Sequence, residues 1–209
     1  LCFGKHVYPD QVHTEGITEI TLEDVEYAKD WGGVIKLLGR ARKSEDGKHI
    51  YAIVSPAFVD HHSQLASVDD VFNAILVRGD AIGDVVFYGR GAGKLPTASA
   101  VVADVIDCVK HFKARKYLFW EDAKPNYVAD FGSMETSAFV RVSAKDSDTA
   151  LNTAADVFGK ITPLLAKRPV QGEAGFTVEN LTEKELSDKL AALEARGVKV
   201  EGRIRISDY

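Results

Sequence analysis

Four stretches of the chain space their apolar residues three and four apart, the period of a helix with one buried face; much of the rest alternates apolar and polar residues as strands do. TLEDVEYAKDWG (21–32) is the first helical stretch. Thr21 serves as its N-cap, Asp24 closes a capping box, and Gly32 with Gly33 stops it. VIKLLGRARK (34–43) and HIYAIVS (49–55) read as strands joined through an Asp46-Gly47 turn into a hairpin. PAFVDHHSQLASVDD (56–70) reads as a loop or short helix. VFNAILV (71–77) and VVFYG (85–89) are strands around a turn rich in glycine and aspartate. A helix is expected from about Thr97 to Phe112, with Thr97 as its cap, Pro96 near the first turn, and Val101, Val102, Val105, Ile106 and Val109 as its apolar stripe.

The period is lost after His111. Residues 113–133 read as a connector that packs by its aromatics, with Trp120 expected to seal the parts it joins. Beyond it come a strand (136–144), a helix with Ala150, Leu151, Ala154, Val157 and Phe158 on one side, two strands (161–168 and 173–181), a helix capped by Thr182 and ended by Gly197, and a last strand (198–207). That order, βαββαβ, is the ferredoxin-like split unit. The expected fold is therefore α+β: a mixed sheet covered by helices over 1–112, a connector over 113–134, and a ferredoxin-like unit over 135–209.

Composition narrows the function classes. With 26 Lys and Arg against 31 Asp and Glu, the net charge is −5, and no long basic block is present, which argues against a nucleic-acid partner. No apolar run approaches the ~18 residues of a membrane span. Cys2 and Cys108 are far apart and lack metal-type spacing, so reduced thiols in a cytoplasmic protein are expected. The opening Leu1-Cys2-Phe3-Gly4 reads as the tail of a helix stopped by Gly4, as in part of a longer chain; a processed N-terminus is the alternative.

Chemistry concentrates in FYGRGAGKLPTASAVVAD (87–104), with three glycines in five positions. It is not a P-loop: Tyr88 stands where the first glycine belongs and Leu95 where the metal-binding hydroxyl belongs. It is not the G-x-G-x-x-G dinucleotide fingerprint either, because Gly89, Gly91 and Gly93 give G-x-G-x-G. The local physics still suits an anion or polar ligand. Glycines let backbone approach closely and turn N–H groups outward, and the loop runs into a helix N-terminus. A bare close-packed corner between strand and helix is the competing reading.

Two longer strings carry a resemblance. SVDDVFNAILVRGDAIGDVVFYGRGAGKLPTASAVVADVID and, upstream, VHTEGITEITLEDVEYAKDWGGVIKLLG are similar to the substrate domain of the homoserine dehydrogenase family. The likeness is strong over 1 to about 110 and weaker to the end, where bacterial members carry an ACT regulatory domain. It implies NAD(P)-dependent interconversion of L-homoserine and L-aspartate 4-semialdehyde, on the route to threonine and methionine. It also implies that Gly93, with Gly91 and Ala92, faces the cofactor, and that the chain dimerises. By the same resemblance the dinucleotide-binding domain and the catalytic lysine and acids precede Leu1, so this piece alone is expected to be inactive. Preference for NAD or NADP stays open, because the ribose-contacting residue belongs to the preceding domain. ACT domains hold a regulatory amino acid near their first strand-to-helix turn. Here that turn is AKDSDTAL, without the usual proline and glycine, and Asp146 and Ser147 would stand nearest a threonine effector. The alternative is a non-catalytic dimerisation and amino-acid-sensing module.

Other candidates read as structural. His61 and His62 point to opposite faces if in a strand and lack a third ligand, so no metal site is expected. Glu15 and Glu19 lack a nucleophile partner, and Glu15 is expected to be structural or interface-facing; Trp31 is expected to pack.

Overall fold

The computed structural model describes residues 3–114 and 121–208. The elements run β1 (Lys5–His6), β2 (His13–Thr14), α1 (Leu22–Trp31), β3 (Gly33–Lys43), β4 (Ile50–Asp60), β5 (Phe72–Gly79), β6 (Gly83–Arg90), α2 (Lys94–Lys110), β7 (Glu121–Asp122), β8 (Glu135–Ser143), α3 (Ser147–Phe158), β9 (Thr162–Leu164), β10 (Glu173–Thr182), α4 (Glu183–Ala195) and β11 (Lys199–Ile206), with 3₁₀ turns at Pro9–Gln11 and Phe131–Ser133. The architecture is α+β. Packing divides it into two units: Leu1–Gly4 with His62–Trp120, and Lys5–His61 with Glu121–Tyr209. These are not the consecutive segments expected from the pattern, because the β3–β4 hairpin and α1 pack with the C-terminal strands.

In the larger unit, β8, α3, β9, β10, α4 and β11 form the expected βαββαβ unit, with sheet order β11-β8-β10-β9 and antiparallel neighbours. Alternation sorts its side chains. Ala138, Val140 and Val142 on β8 and Ala174, Phe176 and Val178 on β10 face α3 and α4, meeting Ala150, Ala154, Phe158, Leu186 and Leu193. Phe139 and Ile204 face the other way and meet Tyr27, Ala28 and Phe58, so α1 covers the second face. Glycine makes that approach possible: a Cβ on Gly175 would lie 2.5 Å from Tyr27 Cε1 and 2.9 Å from Phe139 Cε2. Trp31 packs on Phe58, as expected of it.

The helix ends follow the side-chain code. In α1 the Asp24 N–H donates to Thr21 Oγ1, the Thr21 N–H donates to Asp24, and Gly32 ends the helix at φ +100°. In α4, Thr182 and Glu185 form the same reciprocal box, and Gly197 follows at φ +80°. The predicted β3–β4 hairpin forms with Gly47 at φ +68° in its turn.

β4 differs from expectation. It does not stop at Ser55 but continues through Pro56 to Asp60, replacing the loop or helix foreseen there; only the residues after Asp60 turn away. One edge of β4 is paired with β3 along all its length. The other edge is divided: β2 pairs with Ile53 and Val54, and β11 with Ala57 and Phe58, both parallel. The Val54 carbonyl accepts from the Glu15 N–H and the Phe58 carbonyl from the Ser207 N–H, so the even-numbered backbone groups face this edge. Pro56, which has no N–H to offer, stands where the partner changes from β2 to β11.

From Glu121 onward the connector is anchored in the same unit. β7 pairs in parallel with β1, and Val128 bridges Ile50. The expectations for Trp120 and for Leu1-Cys2 lie outside the described residues; Gly4 takes φ +63°.

The smaller unit holds the β5–β6 hairpin and α2. β5 and β6 pair in register from Phe72↔Arg90 to Gly79↔Gly83. The five residues of the predicted α2 stripe, Val101, Val102, Val105, Ile106 and Val109, are all exposed. Among the described residues no helix is long and apolar enough to cross a membrane.

Candidate functional site

β6 ends at Arg90, and the chain turns through Gly91-Ala92-Gly93 into α2. The Gly91 N–H donates to the Val71 carbonyl at 3.2 Å, which ties the corner back to the start of β5. A Cβ at Gly91 would fall 1.4 Å from Asn73 Nδ2, the far end of an exposed side chain that would have to turn aside. Gly93 has room, with only Pro96 nearby at 3.4 Å, but sits at φ +120°, ψ 152°, a conformation that a side chain disfavours. Of the two glycines, Gly93 is the one its backbone angle demands.

The start of α2 corrects one expectation. The helix begins at Lys94, not near Thr97, and Gly93 is its N-cap with no side-chain bond. The Thr97 N–H donates to the Gly93 carbonyl at 3.1 Å, an ordinary helical bond, so Thr97 does not cap. Pro96 brings no N–H. The donors of Lys94 and Leu95 have no intrahelical carbonyl to meet, and the helix end carries partial positive charge. Arg90 lies over the Phe72 ring at 5.4 Å, and Phe72 stacks on Tyr88 at 4.9 Å. Gly91, Ala92, Gly93 and Lys94 are exposed. The corner is thus a bare, donor-rich surface suited to backbone approach by an anionic or polar ligand.

Asp146 and Ser147 stand at the first turn of the ferredoxin-like unit. Asp146 is the N-cap of α3: its carboxylate accepts from the Thr149 N–H at 2.7 Å, and this backbone bond holds its pKa below the usual range. Ser147 opens the helix. The groove along α3 and β9, about 540 Å³, is lined by Asp148, Leu151, Asn152, Lys160 and Ile161 among others, and neither Asp146 nor Ser147 lines it. Asp146→Ala should lower the thermal midpoint at neutral pH and lose that effect as the pH falls below the carboxylate range. The native pKa is depressed, so the capping contribution is present above the unfolded value and disappears on acidification. Thermal unfolding of both proteins from pH 3 to 7 checks this.

A second cluster escaped the sequence reading. Arg205 is 1% exposed and donates from Nε to Glu183 at 2.6 Å, from Nη1 to Glu15 at 2.6 Å and from Nη2 to both carboxylates at 2.9 Å. Arg203 donates to Glu15 at 2.7 Å and to Glu183 at 3.1 Å. His13 Nε2 lies 2.8 Å from Glu15 and its ring stacks on Phe131 at 3.6 Å, while the Arg205 guanidinium sits 5.3 Å from the same ring. Burial alone would push the Glu15 carboxyl up. Hydrogen bonds from Arg205 and His13 and the charges of both arginines override it and hold the pKa at about 2. The Glu15 carboxylate is thus ion-paired within the cluster. Alternation of Arg203 and Arg205 with Ile204 and Ile206 was the only local signal, and on a terminal strand it reads equally well as a solvent face.

A parallel cluster fixes α1: Arg141 donates to Asp24 at 2.8 Å, to Glu173 at 3.1 Å and to Thr21 at 3.1 Å. His61 and His62 are exposed beyond β4, and among the described residues no group of three or more His, Cys, Asp and Glu is placed to hold a metal. Cys108 is a free, exposed thiol on α2.

Comparison with known proteins gives one answer. The family profile described as homoserine dehydrogenase matches residues 1–106. Homoserine dehydrogenase of Pseudomonas aeruginosa is 32% identical over 210 residues, covering 93% of this chain and 48% of the relative. That of Synechocystis sp. is 47% identical over 111 residues, 52% of this chain and 26% of the relative. The crystal structure of a homoserine dehydrogenase from Thiobacillus denitrificans superposes with a TM-score of 0.79 at 33% identity, over 99% of this chain and 50% of that one. The S. aureus homoserine dehydrogenase structure at pH 7.0 gives 0.73 at 26% identity, with the same coverage. The chain therefore spans about half the length of relatives it matches almost end to end. With the profile match covering half of its residues and the fold shared throughout, the chain belongs to the homoserine dehydrogenase family.

Proposed function

We propose that the full-length protein carrying this chain is a homoserine dehydrogenase, interconverting L-homoserine and L-aspartate 4-semialdehyde with NAD or NADP, and that this chain supplies one wall of its active site. The observation that carries the reading is the glycine corner, which lies inside the family match. A bound nicotinamide dinucleotide supplies the hydride acceptor for the C4 alcohol and the donor for the reverse reaction. The residues present fit such a group. Gly91, Ala92 and Gly93 present nothing larger than a methyl, and the α2 N-terminus offers backbone donors to a phosphate or carboxamide. Their role is to hold and orient the cofactor. The groups that bind and protonate the substrate would lie in the half of the relatives' length that this chain does not span, and the 209 residues alone are expected to show no turnover.

In the same reading, residues within 1–112 serve substrate binding and dimerisation, 113–134 connect, and the stretch 135–209, which shares its sheet with β2–β4, acts as an ACT regulatory unit with threonine near Asp146 and Ser147, in a cytoplasmic homodimer. The test is homoserine-dependent reduction of NAD and of NADP by the full-length protein and its Gly93→Val variant. The parent should turn over homoserine. The variant should raise KM for the dinucleotide about 100-fold, the loss of roughly two good ligand hydrogen bonds, and leave KM for homoserine within about twofold. No turnover by the intact, folded parent would sink the reading and leave a dimerising, amino-acid-sensing module.

A further inference from the structure

We infer that the cleft between the β3–β4 hairpin and the start of β8 is a binding site for a free α-amino acid, its carboxylate on Arg42 and its ammonium on Glu135. The cleft is a cavity of about 210 Å³ inside the larger unit. β3 lines it with Arg40 and Arg42, which alternation puts on one side of the strand. Glu135, the first residue of β8, and Asp208, just past β11, line it too. Arg42 donates from Nη2 to the Glu135 carbonyl at 3.5 Å and lies 5.5 Å from the centre of the Tyr51 ring, both neutral groups. Among the described residues neither the Arg42 guanidinium nor the Glu135 carboxylate has an ion-pair partner, although the two line one cavity. Asp208 is a loose counter-ion of Arg40, at 3.8 Å and with its own carboxylate exposed. A cation and an anion that share one space without pairing suit a ligand that carries both charges. Two arginines beside two carboxylates leave the site neutral, which disfavours a phosphate or a dicarboxylate and favours a zwitterion.

The remaining lining fits the body of such a ligand. Ile53 and Met134 are buried, and with Ile206 they supply apolar surface. The Tyr51 hydroxyl lies 3.3 Å from that of Ser133. Ser133 already donates its one hydrogen to the Asp130 carbonyl at 2.7 Å, so Tyr51 is the donor of the pair and its oxygen can still accept from an ammonium. On β10 the register moves from Val178↔Ala138 to Leu181↔Thr136, so Glu179 and Asn180 stand against Ser137 alone, and Asn180 takes φ +57°. This bulge takes Asn180 out of the ladder and puts it on the cavity wall beside Thr136 and Ser137. The cavity is smaller than the ~300–1,000 Å³ of pockets for drug-sized ligands, which fits one small amino acid. Neither Asp146 nor Ser147 lines it, and the glycine corner belongs to the smaller unit, so binding here is separate from both.

The experiment is isothermal titration calorimetry of the full-length protein with L-serine and L-threonine. Each is compared with its N-acetyl derivative, which lacks the ammonium, and its amide, which lacks the carboxylate. The free amino acids should bind with a Kd of about 1 mM or tighter, and the blocked forms should not bind. Arg42→Met and Glu135→Gln should each weaken binding at least about tenfold, through loss of a charged hydrogen bond. Both residues are exposed, so thermal midpoints without ligand should match the parent; if Arg42→Met is nonetheless unstable, Glu135→Gln decides. Threonine binding that survives undiminished in both variants belongs to the turn at Asp146 and overturns the site. Blocked forms that bind as well as the free amino acids overturn it, and so does a lack of heat from either amino acid up to about 10 mM.

Discussion

Arg205→Met should lower the thermal midpoint by about 10 °C. Removing one member of a buried ion cluster costs about 3–5 kcal/mol, and each kcal/mol moves a domain of this size by roughly 2–4 °C. Among the described residues, Arg205 is the buried group that bonds both carboxylates. Without it, Glu15 and Glu183 face each other with only the partly exposed Arg203 between them. Methionine fills much of the volume, so the loss is electrostatic and not a cavity. Two controls separate these causes. Adding Glu15→Gln and Glu183→Gln to Arg205→Met should recover part of the loss, because the stranded charges are gone. The pH dependence should also change. Glu15 has a native pKa of about 2, below its ordinary 4.5, so its contribution is complete above pH 4.5 and is lost between there and pH 2. The parent should destabilise across that window and Arg205→Met should do so less steeply. Calorimetry from pH 2.5 to 7 reads both effects, and parallel slopes would remove the cluster as their source.

Gly175→Val should detach α1 from the sheet while leaving the opposite face intact. The new side chain would start 2.5 Å from Tyr27 and 2.9 Å from Phe139, both fully or almost fully buried. Overpacking costs about 1–3 kcal/mol where neighbours can shift. Here Tyr27 can move only by lifting α1, so about 3 kcal/mol is expected. Hydrogen exchange followed by mass spectrometry should show faster exchange over residues 22–31 and unchanged protection in α3 and α4. Tyr27→Ala in the same protein should restore part of the stability by making room. Uniformly faster exchange would mean that the two faces of the sheet unfold together and would refute a local release.

Much of this fold could be read locally, and the exceptions share a cause. Thr21 with Asp24, Thr182 with Glu185, and Gly32, Gly47 and Gly197 act within a turn of the chain, so their sequence spells out what they do. The βαββαβ order followed from period alone. What stayed hidden was pairing at a distance. Nothing beside Arg205 names Glu15, 190 residues away. Nothing near Pro56 reveals that β4 continues, because its missing donor is harmless only where two neighbouring strands change over. The α2 stripe was legible as a stripe, but its partner was not. The glycine corner was visible from composition; that Gly93 is demanded by its own backbone angle was visible only in three dimensions.

The divided edge of β4 bears on how such a unit can be moved between proteins. A ferredoxin-like segment excised at residue 135 would carry β11 with a bare parallel edge where Ala57 and Phe58 had been. It would bring Arg205 without Glu15, and Phe139 and Ile204 without Tyr27 and Ala28 to cover them. Such a fragment offers an unpaired strand and an apolar face to its own copies, the conditions for aggregation. The transplantable module is discontinuous: residues 13–60 must travel with the C-terminal unit, and gene fusions that respect only the linear boundary would inherit half of a shared sheet.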